Sequence, residues 1–182
     1  MSREIFQKIG AARSILGGNH FKDGKGRAIV SKIECEQKTD GWVFVTEFLV
    51  QSAAKVRPDV EPNAPGTSAS FVQMLDKHKS AAGNIKAFVL ELLGYTEESL
   101  AAAAKAQNVS PGDLFTSTMD ALCGPGQPGR GMAVDFETYR KITREKKLEI
   151  TLCRWTHVAQ TATEIAARRG EMDQKVAAQP AA

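Results

Sequence analysis

The sequence predicts a mainly β chain with helices, an α+β fold, on three observations. Two stretches between residues 26 and 52 flank a turn, the first alternating in its side chains and the second rich in β-branched and aromatic residues. The middle of the chain changes to a 3.6-residue apolar period, and two further strand-like stretches follow a glycine- and proline-rich bend. Alternation with period 2 marks strands and a 3.6-residue period marks helices.

The elements follow in order. Residues 1–26 are basic and glycine-marked, with Ile5, Phe6 and Ile9 as a short amphipathic turn. GRAIVSKIECEQ is the first strand, and strict alternation puts Ile29, Ser31, Ile33 and Cys35 on one face and Ala28, Val30, Lys32 and Glu34 on the other. A turn at TDG leads into WVFVTEFLVQS, a long strand apolar on both faces and hairpinned to the first. Residues 52–66 hold three of the seven prolines and read as a loop, after which TSASFVQMLDKH reads as the third strand.

Helices occupy about 80–122. NIKAFVLELLG places Ile85, Phe88, Val89, Leu92 and Leu93 on one helical face, with Gly94 as the stop. Thr96 before two glutamates starts a second helix, and Ser110-Pro111-Gly112-Asp113, a capping box with proline at the first helical position, starts a third. The bend GPGQPGRG matches G-x-G-x-x-G by letter, but a helix precedes it and a strand follows. That is the reverse of a dinucleotide-binding turn, and Pro125 and Pro128 remove two N–H donors. It therefore reads as a boundary. MAVDFETYRKI and LEITLCRWTHV are the fourth and fifth strands, joined by TREKK; AQTATEIAARRGEM closes the chain as a helix.

Five strands with a helical insert between the third and fourth is the order of an OB-fold, a five-stranded Greek-key barrel whose faces and loops bind oligonucleotides. Other small β-barrels and an α+β sandwich share the strand count. A single domain over 1–170, with 171–182 as a flexible tail, suits the length.

Composition narrows the function classes. A net charge of +3 permits nucleic acid without requiring it. Cys35, Cys123 and Cys153 are far apart and make no zinc spacing with His20, His78 and His157. They read as reduced thiols of a cytoplasmic protein. No apolar run approaches the roughly 18 residues of a membrane span and no signal-peptide core is present, so the expectation is a soluble chain with no membrane partner. No nucleophile elbow is present; Asp135 and Glu137 share a strand face and read as solvated before they read as metal ligands. No enzyme, metal or cofactor is expected.

The modest net charge conceals two basic segments. Residues 1–32 hold seven basic against two acidic residues, and residues 130–154 hold seven against four. Backbone-tracking charge combined with aromatic faces is what single-strand binding needs. The candidate phosphate contacts are Lys22, Lys25, Arg27, Lys32, Arg130, Lys141, Arg144, Lys146 and Lys147. The candidate stacking residues are Trp42, Phe44, Tyr139 and Trp155. Trp42 and Phe44 share a face with Phe48 and serve either core or stacking. On the fifth strand Leu148, Ile150 and Leu152 are expected inward. That turns Trp155 outward, as a stacking platform or under the C-terminal helix. Tyr139 beside Lys141 is the cleanest exposed aromatic and basic pair.

The patterns GWVFVTEFLV (41–50), NAPGTSASFV (63–72), GNIKAFVLELLG (83–94), RGMAV (130–134) and CRW (153–155) resemble a group of tailed-phage early proteins, OB-fold single-stranded DNA-binding proteins of phage replication and recombination. The resemblance spans residues 18–157 and implies a protein that coats single-stranded DNA without sequence preference in the host cytoplasm. It implies replication or recombination proteins as further partners and leaves room for a homo-oligomer. Many such proteins end in an acidic partner-recruiting tail; the sequence departs from that pattern with AAQPAA and no acidic cluster, which puts tail-mediated recruitment in doubt. The alternative is an OB-type protein-interaction module, with the helical insert as its partner surface.

Overall fold

The computed structural model describes residues 20–39, 41–142 and 149–177. An open five-stranded antiparallel sheet is formed by β1 (Lys25–Lys38), β2 (Gly41–Ala54), β3 (Ser68–Met74), β4 (Ala133–Ile142) and β5 (Glu149–His157). Their spatial order is β3-β2-β1-β4-β5, so β3 and β5 are the edges. Between β3 and β4 lie α1 (Ala81–Leu93), α2 (Glu97–Ala106) and α3 (Pro111–Cys123), and α4 (Ala162–Ala177) follows β5. The α+β class and the element order agree with the sequence reading. No ladder joins β3 to β5 among the described residues.

Local chemistry places the helix ends. Gly94 leaves α1 at φ 71°, in the left-handed region where a side chain is penalised. The Thr96 hydroxyl accepts from the Ser99 N–H while the Ser99 hydroxyl accepts from the Thr96 N–H, a reciprocal cap on α2. Ser110 caps α3 by accepting from the Asp113 N–H, with Pro111 at the first helical position. Thr161 and Glu164 bond reciprocally at the start of α4. That helix runs past residue 170, where the sequence reading ended the domain, and Met172 is buried on it.

The faces of β1 differ from strict alternation. Val30 pairs with Phe48 but Lys32 pairs with Glu47, so Ser31 is an extra residue. Such a bulge flips the parity of every side chain beyond it. Ala28 and Val30 therefore share the inner face with Ile33, while Ile29 turns outward to pack with Ala133, Val158 and Met172 under α4. A second register shift lies between Arg27 and Ala28. Beside it a Cβ on Gly26 would stand 1.9 Å from the Ser52 carbonyl oxygen, so only glycine lets β1 and β2 approach there.

The inner face is aromatic. Phe21, Phe44, Phe48, Phe71, Phe88, Phe136 and Trp155 belong to one core cluster with Ile85, Val89 and Leu92 of α1. Phe48 and Trp155 stack with centroids 5.3 Å apart, and Trp155 meets Phe71 edge-on at 5.3 Å. Those two rings carry the core across the gap between the edges, and α1 packs against both β3 and β5 beneath them. Phe21, in a segment that showed no period in sequence, meets Phe136 at 4.5 Å.

The glycine- and proline-rich bend also acquires a role. Gln127, at φ 42°, accepts from the Ile33 N–H through Oε1 and donates to the Ile33 carbonyl through Nε2, both at 2.8 Å. One side-chain amide thus stands in for a neighbouring strand where β4 has diverged from β1. The bend is a boundary whose Gln127 side chain satisfies the edge of β1 at Ile33, within the strand.

Candidate nucleic-acid interface

Alternate residues of β1, β4 and β5 point away from the core and form cross-strand rows. Ser52, Arg27, Asp135 and Thr156 lie side by side in register, and the next row is Ala54, Lys25, Glu137 and Arg154. Tyr139 opposite Leu152 makes the third row. The first two rows line a groove of about 760 Å³. Cations stand on β1 and β5, and the carboxylates of β4 run between them.

The electrostatics are specific. Arg27 holds Asp135 with a two-pronged grip, Nε to Oδ1 at 2.7 Å and Nη2 to Oδ2 at 3.0 Å. That bond raises the Arg27 pKa above its ordinary value, so the guanidinium is charged at every working pH. Arg154 reaches Glu137 at 3.8 Å and lies over the Tyr139 ring with its central carbon 5.6 Å from the centroid. Lys25 and Lys141 are exposed and make no ion pair among the described residues. The chain leaves β4 just beyond Lys141, towards residues 143–148.

A buried carboxylate anchors one end of the groove. Asp23, only 4% exposed, accepts from Arg140 Nε at 2.6 Å and has Arg57 Nη1 at 3.8 Å. Next to it the Thr138 hydroxyl accepts from the Gly24 N–H at 2.7 Å and the Thr138 N–H donates to the Gly24 carbonyl. Residues 23–24 are thereby fixed across β4, which sets where Lys25 emerges. Arg140 serves this anchor, so the basic residues of segment 130–154 do not all face a ligand.

The structure separates the residues that the sequence reading grouped together. Lys25, Arg27, Tyr139 and Lys141 share the outer face. Lys22 is exposed on the segment before β1, where its N–H donates to the Asn63 side chain. Lys32 pairs with Glu34 further along β1. Arg130 pairs with Asp173, and its carbonyl accepts from Arg169, so it holds α4 in place. Trp42, 45% exposed, sits at the far end of the β1–β2 ladder, where its N–H donates to Asp76. Arg144, Lys146 and Lys147 lie outside the described residues, as does Leu148.

Two aromatic candidates need correcting. Phe44 is fully buried, among Phe71 and Phe88. Trp155 is 7% exposed and central to the core, and it is not covered by α4, which packs on Ile29, Ala133 and Val158 instead. Neither ring offers a face to a base. The expected parity of β5 was reversed: Cys153 and Trp155 point inward, which brings Leu152 and Arg154 outward. The reading that turned Trp155 out therefore also hid Arg154, whose signal was its place beside a tryptophan too large to leave the core. Phe21 was missed for want of any period around it.

No protein-family model matches the chain, and no characterised protein matches its sequence. Burial pushes the Cys123 thiol up to about 11 and the Cys153 thiol up to about 12, so neither supplies a thiolate near neutral pH. Among the described residues no group of three metal-ligating side chains gathers, and no helix is long and apolar enough to cross a membrane. Guanidinium and ammonium groups around an exposed ring are suited to a polyanion bearing flat groups.

Proposed function

We propose that this protein is an OB-type single-stranded DNA-binding protein that coats DNA without sequence preference in replication or recombination, and that the outer face of β1, β4 and β5 is its binding groove. The observation that carries the reading is the cluster of Lys25, Arg27 and Arg154 beside Tyr139, with Arg154 lying over its ring. Phosphates meet the cations and bases stack on the ring. The order β3-β2-β1-β4-β5 with helices between β3 and β4 supports the fold part, since an OB barrel opened between its third and fifth strands would have this order, and Phe71 and Trp155 meet across that gap. The resemblance to phage early proteins supports the same reading.

Fluorescence anisotropy with labelled single-stranded and duplex oligonucleotides tests it. The expected result is tighter binding to the single strand, falling steeply as salt rises because condensed counterions are released. Equal affinity for both forms, or indifference to salt, overturns it.

A second reading, a protein-interaction module contacting replication or recombination proteins, has its own observation. A groove of about 320 Å³ between α1, α3 and the bend is lined by Leu93, Ala121, Leu122, Pro128 and Met132. A protein that binds neither form of DNA while retaining its fold would bring this surface to the front.

A further inference from the structure

If the groove takes single-stranded DNA, as proposed above, its middle strand presents an unexpected charge: the two β4 side chains between the arginines of β1 and β5, Asp135 and Glu137, are carboxylates. We propose that Asp135 and Glu137 are exchangeable counter-ions, which hold Arg27 and Arg154 in the free protein and are displaced from them by DNA phosphates, so that they set the affinity of the groove.

The geometry gives the reason. Asp135 meets Arg27 through two parallel bonds of 2.7 and 3.0 Å, the same fork that a phosphodiester presents to a guanidinium. Glu137 stands in register between Lys25 on one side and Arg154 on the other. Both pairs are solvated: the Arg27 and Asp135 side chains are each 41% exposed, and the Arg154 and Glu137 pair is more open still. Solvated pairs of this kind are weak, so a phosphate can replace the carboxylate without stranding a buried charge. The Arg140–Asp23 pair is different. Asp23 is buried and cannot be released without leaving an uncompensated charge inside, so Arg140 stays with it. The exposed pairs exchange and the buried one holds.

Exchange leaves a signature in the salt dependence. A carboxylate displaced from its arginine takes up a cation from solution and offsets one released from the DNA, so the slope of affinity against salt falls below the count of phosphates met. Freeing one cation restores about 0.7 of a unit for a single strand.

The test measures the affinity of the full chain for a fluorescein-labelled oligo-dT across a salt series. It uses wild type, Asp135→Asn, Glu137→Gln, Arg27→Gln, the Arg27→Gln/Asp135→Asn double variant, and Glu97→Gln as a control. Glu97 pairs with Lys86 on the helical insert, away from the groove. A thermal melt checks that each variant folds. Asp135→Asn and Glu137→Gln should each bind about two- to fivefold more tightly, the factor that corresponds to one exposed ion pair, and steepen the slope. Glu97→Gln should do neither. Arg27→Gln should lose more affinity in the Asp135→Asn background than in wild type, since only there is the guanidinium free beforehand. Unchanged or weaker binding by folded Asp135→Asn, with wild type binding well, overturns the exchange and leaves the DNA-binding reading standing. A gain by Glu97→Gln equal to that of Asp135→Asn also overturns it, because general charge then explains both. If wild type itself does not bind the oligonucleotide, both proposals fall.

Discussion

The inner and outer faces of β4 and β5 are built from alternate residues of the same strands, yet they obey different rules. Phe136, Thr138, Cys153 and Trp155 point inward, and volume governs them: Trp155 touches Phe21, Phe48, Phe71 and Phe88 at once, filling the space between the two sheet edges. Asp135, Glu137, Tyr139 and Arg154 point outward, and there charge and exposure govern. One aromatic residue on each face makes the contrast testable. Trp155 holds the fold together, whereas Tyr139, 44% exposed, contributes little to stability and is available to a ligand.

The largest expected effect belongs to the inner face. Trp155→Ala should cost about 3–5 kcal/mol of stability, the range for truncating a large buried ring, measured by chemical denaturation. A melt identical to wild type would break the comparison at its base, since Trp155 would then not bridge β3 and β5. Gly26→Ala comes next, at about 1–3 kcal/mol, because a methyl group there meets the fixed Ser52 carbonyl. It should disturb both faces together, lowering the melting temperature and weakening DNA binding in the same variant.

Tyr139→Ala should lose about 1–3 kcal/mol of single-strand affinity with the salt slope nearly intact. Stability should stay within about 0.5 kcal/mol, as for surface substitutions generally. Loss of stability without loss of affinity would reassign this ring to the fold. The smallest effect sharpens the inner face. The Thr46 hydroxyl is fully buried and has no hydrogen-bond partner among the described residues. Thr46→Val keeps the shape and removes the unpaired hydroxyl, so stability should rise by about 1 kcal/mol. A destabilised valine variant would mean that the hydroxyl is paired after all.

The candidate site was partly legible before the structure. Tyr139 and Lys141 were placed outward because β4 alternates without interruption, and Lys25 and Arg27 came with a basic segment that does reach the groove. Phe44 and Trp155 were misplaced for a shared reason. Trp42, Phe44 and Phe48 lie on one parity, and nothing local says that the strand end exposes the first while the core encloses the other two. On β5, Leu148, Ile150 and Leu152 looked like the apolar face because they outnumber one tryptophan. A count of apolar residues lost to the shape of the gap that a single large ring fills.

What the sequence determined by itself is local: the kind and order of the elements, the stop at Gly94, and the caps at Thr96 and Ser110. Each of these rests on hydrogen bonds or backbone angles within a few residues, so neighbouring letters suffice to specify them. The tertiary structure decided what depends on partners far along the chain. The bulge at Ser31, which sends Ile29 outward, exists only in register with Phe48 and Glu47. The pairing of Arg27 with Asp135, and of Arg140 with Asp23, joins residues more than a hundred positions apart. Charge in a sequence is a sum, but the charge that a face presents depends on which carboxylates folding sets beside its cations and on whether those pairs are exposed or buried.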